Sequence, residues 1–361
     1  MPSAESVSHE DLILCTCKDR EYKTRDVIDA GLWRGDLAQP WTVFLMRLES
    51  EKQADQSDME MDEDVIDAAA EAFRYERDLI TAEETEQWLA ARGLTLDDFS
   101  DYFGRRYWGA KLQDEVTPPD TPYPSASEEL RRLFAAELIF SGDIDVLTTR
   151  LTWRLAAACD EAQTDPEALA EEREQFLERQ GIDAAGLDNW LEQLGRDAEW
   201  LSEMEAMESA FQRRVDAVLV PQAYKNEIVA LRLPLTRFET EVIELESRDA
   251  AREAIFCVNE DGMSMEEVAA ESRYPFRNVN FLLEDLPPEL QQLFVSVSAG
   301  EVLQPMPRGD GFELCRVINK VEPDPEDEAV RDRVEQRLLD KHFTDLSAKY
   351  VERRLGAIIA E

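Results

Sequence analysis

The sequence predicts an α+β chain, mainly helical through its first two thirds and closing on a small sheet domain and a long helix. Three observations predict it. Apolar residues recur at three and four positions through most of residues 127–218, as Leu130, Leu133, Phe134 and Leu138 and then Leu147, Leu151, Leu155 and Ala158 do, which places one apolar stripe on each helix. From Val229 the pattern changes, and Arg237–Leu245 is rich in β-branched and aromatic residues in partial alternation, the signature of a strand. Proline-rich breaks at Val116–Ser125 and Pro323–Pro325 divide the chain, because no helix crosses them.

The composition bounds the function. At 361 residues with 43% hydrophobic content the chain is long enough for two or three modules with their own cores. Eighty acidic against 39 basic side chains give a formal net charge of -41, which repels nucleic acid and anionic membranes. Eight of the basic residues are Lys and the rest Arg, so the acidic surplus reads either as a soluble, self-repelling surface, the reading preferred here, or as adaptation to high salt. The first residues carry no basic and apolar signal-peptide pattern, and no segment approaches the ~20 apolar residues that span a bilayer. A cytoplasmic location without membrane insertion is the expectation. Five scattered cysteines, Cys15, Cys17, Cys159, Cys257 and Cys315, suit a reducing compartment, and with only His9 and His342 beside them neither a metal site nor a cofactor is expected.

In chain order, Leu12–Cys15, a Lys18-Asp19-Arg20 turn and Glu21–Thr24 read as a hairpin leading into a helix near Arg25–Gly31, and Trp41–Glu51 reads as another. The acidic run Glu49–Asp64 reads as a surface segment, with no glycine at the spacing a calcium loop needs. An internal likeness follows. Glu86–Leu94 recurs as Glu174–Ile182, and Phe99, Tyr102 and Phe103 align without a gap to Leu187, Trp190 and Leu191. Each copy reads as helix, glycine turn, helix, with Gly93 and Gly181 at the left-handed C-terminal position and Asp97 and Asp183 near the start of the second helix. Duplication and common packing constraints both account for the pair. Its aromatic side chains read as core. Beyond the strand, Asp249–Asn259 and Ser264–Ala269 read as helices, the second opened by a Ser264/Glu267 capping box, and a long final helix carries Val330, Val334, Leu338, Phe343, Leu346, Tyr350 and Leu355.

Leu286-Pro287-Pro288-Glu289-Leu290, Ala299-Gly300-Glu301-Val302 and Gly311-Phe312-Glu313-Leu314-Cys315-Arg316-Val317 together resemble the closing half of a parvulin-type peptidyl-prolyl isomerase domain. That half reads as a short helix, a Pro-Gly-Glu-Val turn and a last strand of the form Gly-Tyr-His-Ile-Ile-Lys-Val. Phe73-Arg74 through Glu84, Trp88-Leu89, Gly93-Leu94 and Asp97-Asp98-Phe99 are similar to the helical, substrate-cradling module of the SurA and PrsA type of parvulin-like (PpiC-related) chaperones. The resemblance implies a SurA-N-like module with its hairpin over 1–112, a Pro-rich linker over 113–126, a second helical module over 127–220, a parvulin-like β-α-α-β domain over 221–323, and a C-terminal helix, 324–361, packing back on the helical modules.

It also implies a peptide pocket, carried over position by position. The first-strand histidine falls at Val242 or Ile243, the Cys or Asp position with its glycine loop falls in the run around Tyr274, which lacks glycine, and the last-strand histidine is Glu313. Leu286 matches the family's apolar Met or Leu position and Phe294 lies within one residue of its Phe; these two and Phe312 are the candidate substrate-binding residues. Isomerisation crosses a barrier of about 18–20 kcal/mol and needs only a pocket that favours the twisted amide. Without the histidines and the glycine loop the resemblance implies a chaperone for unfolded or precursor polypeptides, associated with peptide maturation or export machinery, in which isomerase activity is weak or lost. An active isomerase with a remodelled pocket and a non-enzymatic adaptor are the alternatives.

Overall fold

The computed structural model describes residues 8–160 and 165–354. In chain order these form β1 (Ile13–Cys17), β2 (Arg20–Lys23), α1 (Thr24–Arg34), α2 (Ala38–Gln56), α3 (Glu63–Glu76), α4 (Ala82–Ala90), α5 (Leu96–Leu112), α6 (Glu128–Ser141), α7 (Asp143–Asp160), α8 (Pro166–Gln180), α9 (Leu187–Leu194), α10 (Ala198–Val218) and α11 (Pro221–Ala230). They continue as β3 (Arg237–Leu245), α12 (Arg248–Asn259), α13 (Met265–Ser272), β4 (Phe276–Leu282), α14 (Pro288–Ser296), β5 (Met306–Arg308), β6 (Gly311–Val321), α15 (Glu328–Tyr350) and β7 (Val351–Arg353). The α+β class is as the sequence predicts, with most of the helices before the larger sheet, α12–α14 between its strands and a long helix after it.

The described residues divide into two compact units, one formed by residues up to 215 with those from 342 onward, the other by Asp216–Lys341. The first unit has one continuous apolar core running from Leu14 to Met207. It therefore does not separate at the Pro-rich run into two helical modules. Tyr123 and Pro124 are buried, Tyr123 meets Trp41 and Phe134 edge-on, and Trp41 Nε1 donates to Thr121 O at 2.7 Å, so the run is a strap over the core. Proline stops helices there, but the aromatic residue within the run has core to bury against.

The two glycine-linked helix pairs are α4–α5 and α8–α9. Gly93 and Gly181 take φ of 66° and 63°, the left-handed region where a Cβ is strained. Trp88, Tyr102, Phe176 and Trp190 are all buried, as core side chains. The starts of the second helices differ. Asp97 lies in the first turn of α5, beside a Thr95/Asp98 capping box, whereas Asp183 accepts from Gly186 N in a turn that precedes α9. The acidic run after Trp41 is more helical than expected: α2 continues to Gln56 because Ala54 packs on Trp108 and Leu112 of α5. A Cβ on Gly109 of α5 would lie 2.6 Å from Arg47 Cγ, which measures how closely the two helices approach.

This unit also holds a three-stranded antiparallel sheet ordered β2-β1-β7, in which Cys17 pairs with Arg20 and Val351. The end of α15 packs in the same unit, with Phe343 stacked on Trp153 at 5.2 Å and beside Phe211 at 4.8 Å. The final helix stops at Tyr350, and Leu355 lies outside the described residues.

The second unit is a four-stranded antiparallel sheet ordered β4-β3-β6-β5. Alternation sends side chains to two faces. Ile243, Leu245 and Leu314 meet Ala251, Ala254, Met265 and Val268 of α12 and α13. Phe238, Val242, Cys315 and Val317 meet Phe294 of α14 together with Leu283 and Leu303. A third cluster joins Ile228, Leu235 and Leu282 to Val330 and Val334 of α15. Ser264 and Glu267 form the capping box expected at the start of α13.

Candidate functional site at the end of the four-stranded sheet

β3 and β6 run antiparallel with Val242 opposite Cys315, Ile243 opposite Leu314 and Glu244 opposite Glu313. This register sends the two first-strand candidates to opposite faces of the sheet. Val242 shares the α14 face with Glu313, while Ile243 points to the α12–α13 face and is fully buried there. The other candidates divide in the same way. Leu286 and Phe294 belong to the α14 face, and Tyr274 and Phe312 pack against the α12–α13 cluster. Thus the structure groups Val242, Glu313, Leu286 and Phe294 on one side of the sheet and separates them from Ile243, Tyr274 and Phe312.

Within the first group the apolar members are mostly filled core. Phe294 meets Phe238 and Phe281 edge-on at 5.6 and 5.2 Å and is 2% exposed, whereas Leu286 is half-buried. Lys320 closes the C-terminal end of α14, its Nζ donating to Phe294 O and Val295 O at 2.9 and 3.0 Å, where a cation complements the helix dipole. Burial pushes the Cys315 thiol up to about 12, so it stays protonated and is no nucleophile near neutrality.

The chemistry at this end of the sheet is ionic. Two carboxylates directly opposite each other repel. Here two arginines intervene, one from each flanking strand. Arg277 of β4 reaches Glu313 Oε1 at 2.6 Å and Glu244 Oε1 at 3.1 Å, and Arg308 of β5 binds Glu313 and lies 3.8 Å from Glu244. Two positive and two negative charges close on one another, with the Glu313 side chain only 17% exposed. Sequence reading missed both arginines, since nothing local to either strand says that they face Glu313.

Beside this cluster an open cleft of about 820 Å³ is bounded by Glu244, Tyr274, Arg308 and Phe312. Its wall is tight at one point: a Cβ on Gly311 would stand 2.5 Å from Leu245 O, so only glycine lets β6 begin against the end of β3. Gly300, at φ 91°, makes the turn ahead of β5 and donates its N–H to Val317 O at 2.6 Å.

No histidine lies in this unit. His9, in the other unit, is buried with its ring nitrogens 3.3 Å from Gly93 O and 2.9 Å from Arg132 O, a structural bridge between loop and helix. His342 is in the part of α15 that belongs to that same unit, where burial and then Arg214 and Lys349 lower its proton affinity. Among the described residues no cluster of three or more His, Cys, Asp or Glu side chains is placed to hold a metal, and no helix is long and apolar enough to cross a membrane.

No family model matches the chain, and no curated protein is found to match it. Solved structures do. The peptidylprolyl isomerase PrsA from Bacillus cereus is 15% identical, with 58% of this chain and 84% of that chain covered at a TM-score of 0.36. The foldase PrsA from Streptococcus pneumoniae is 11% identical, with 64% and 90% covered at 0.25. A SurA-like chaperone from Campylobacter jejuni is 10% identical, with 59% and 88% covered at 0.19. Among solved structures, then, the chain is similar at low identity to PrsA- and SurA-like peptidyl-prolyl isomerase chaperones.

Proposed function

We propose that this protein is a parvulin-like chaperone that holds unfolded or precursor polypeptides in the cytoplasm, in association with peptide maturation or export, and that its isomerase activity is weak or lost. The observation that carries this reading is the state of Glu313. At the strand position where the sequence resemblance calls for a histidine, a carboxylate is bound by Arg277 and Arg308. An ionised carboxylate only accepts hydrogen bonds, whereas a histidine both donates and accepts. With its Oε1 held by two guanidinium groups and no proton to donate, Glu313 offers a twisted prolyl amide no preorganised donor, and catalysis requires contacts that strengthen in the transition state. Phe294, which would grip a proline ring, is committed to the core beneath the sheet. The holding role rests on the sequence resemblance of the helical region.

Two readouts on one preparation test the proposal. Stoichiometric amounts of the chain should suppress aggregation of an unfolded protein diluted from denaturant, while catalytic amounts should leave a proline-limited refolding phase at its own rate. Suppression absent at every ratio would remove the chaperone reading, and multiple-turnover acceleration would favour an active, remodelled isomerase.

A further inference from the structure

We propose that the groove between α3 and α5 binds an amphipathic helical segment of a client polypeptide whose apolar stripe is flanked by carboxylates. This rests on the holding role proposed above and names the chemistry of what is held. The first observation is an unused apolar face. Of the 14 residues of α3 only Phe73 is buried. Val65, Ala69 and Ala72 nevertheless recur at helical spacing on the side that faces the groove, with Val65 51% exposed. An amphipathic helix ordinarily covers such a stripe.

The second observation is the shape. The groove encloses about 730 Å³, floored by Phe73, Tyr102, Phe103 and Phe140, while Ala69 and Ala72 keep its α3 wall low. From Val65 to Glu76 it follows α3 for about 16 Å, the rise of three helical turns. A helix laid in a groove, anchored by apolar side chains one turn apart, is an established mode of peptide recognition.

The third observation selects the charge. Along a chain of net charge -41 most arginines described are bound to carboxylates, as Arg154 is to Glu208 and Arg173 to Glu205. The groove's edge differs. Arg106 Nη1 donates to Tyr102 Oη at 3.1 Å, and Lys111 Nζ donates to Tyr107 Oη at 3.1 Å and lies over the Tyr107 and Trp108 rings. Among the described residues neither has a carboxylate within ion-pair distance. Arg77 stacks 3.7 Å from the centre of the Phe73 ring and donates to Phe73 O and Phe140 O, with Glu76 at 3.5 Å as the one acid within ion-pair distance among the described residues. Aromatic and carbonyl groups thus position three cations at the rim and leave their charge largely uncompensated. A segment with acidic flanks would compensate it. A basic segment, which the field of the whole chain attracts, meets like charge at this groove.

The test uses the full chain and two fluorescent helical peptides of equal length and identical leucine stripe, one flanked by Glu and one by Lys, titrated by anisotropy at salt concentrations where circular dichroism shows the chain folded. The acidic peptide should bind about three- to tenfold more tightly, from two or three partly exposed charge pairs. That ratio should shrink as salt rises from about 0.1 to 1 M and the screening length falls from ~10 to ~3 Å. Arg106→Glu with Lys111→Glu should reverse the order, and Ala69→Trp, which fills the groove from an exposed position, should weaken both peptides. Equal or tighter binding of the basic peptide by the unaltered chain, an order that the double variant leaves unchanged, or binding indifferent to Ala69→Trp would overturn the proposal. Aggregation suppression retained in that event leaves the holding role standing. Suppression absent while the acidic preference persists removes the holding role and not the groove.

Discussion

Arg277→Ala should loosen the end of the four-stranded sheet without unfolding the chain. In the intact protein Arg277 makes contacts of 2.6 Å to Glu313 and 3.1 Å to Glu244, two carboxylates that face each other across β3 and β6. Both Arg277 and Glu244 are more than a third exposed, so each pair contributes the modest amount of a solvent-screened contact, about 0.2–1 kcal/mol. The repulsion that Arg277 masks adds a similar amount once it is gone, for a total of about 1–2 kcal/mol. Glu313→Gln removes one of the two repelling charges, and in the Arg277→Ala background it should restore about half of the loss. The pair should therefore couple in a double-mutant cycle. Tryptophan fluorescence cannot follow this, because all seven tryptophans lie at or before Trp200, outside the sheet unit. Amide hydrogen exchange over β3 and β6 can: about 1.4 kcal/mol of lost local stability is a tenfold faster exchange wherever opening is the limiting equilibrium. Unchanged exchange in Arg277→Ala, or additive effects in the double variant, would refute the idea that Arg277 neutralises this carboxylate pair.

Other outcomes follow from the same packing. Burial holds the Glu51 carboxyl near a pKa of about 7, against a usual value of 4.5, with Arg105 opposing and Asp101 reinforcing the shift. A carboxyl raised in the folded state stabilises the fold at low pH and loses that contribution as pH rises through about 7, so Glu51→Gln should stabilise the helical unit at pH 8, by about 1–3 kcal/mol, and bring little at pH 5. Thermal unfolding followed by tryptophan fluorescence reads this directly, and a gain that grows toward acid would contradict it. Glu137, whose side chain is 5% exposed, binds Arg47 at 2.5 Å and Arg105 at 3.5 Å. Glu137→Ala strands a buried guanidinium and should cost about 3–5 kcal/mol in the same assay. Gly311→Ala sets a methyl group against Leu245 O and should cost about 1–3 kcal/mol, visible as faster exchange at the start of β6 and not in tryptophan fluorescence.

Local chemistry made much of the fold legible. β3 spans Arg237–Leu245, the run whose composition predicts a strand, and the Ser264/Glu267 box opens α13 because capping depends on residues three apart. Gly93 and Gly181 end their helices for an equally local reason. Features set by distant partners were hidden. β7 is three residues long, carries no pattern of its own, and exists by pairing with β1 from the other end of the sequence. The Pro-rich run reads as a linker because proline marks a break in helix, while the burial of Tyr123 depends on Trp41 and Phe134. At the candidate site, Glu313 stands out against the parvulin pattern. Its neutralisation by Arg277 and Arg308, and the assignment of Val242 and Ile243 to opposite faces, emerge only once β4, β3, β6 and β5 are paired in register.

The lost-isomerase claim meets its most direct test in exchange spectroscopy on a short prolyl peptide, with the full chain present in catalytic amount. With Glu313 bound by two arginines the peptide should keep its uncatalysed cis–trans interconversion, on the scale of tens to hundreds of seconds. Line broadening or magnetisation transfer showing faster interconversion with turnover, undiminished when the chain's fold is intact and the peptide is in large excess, would contradict the account.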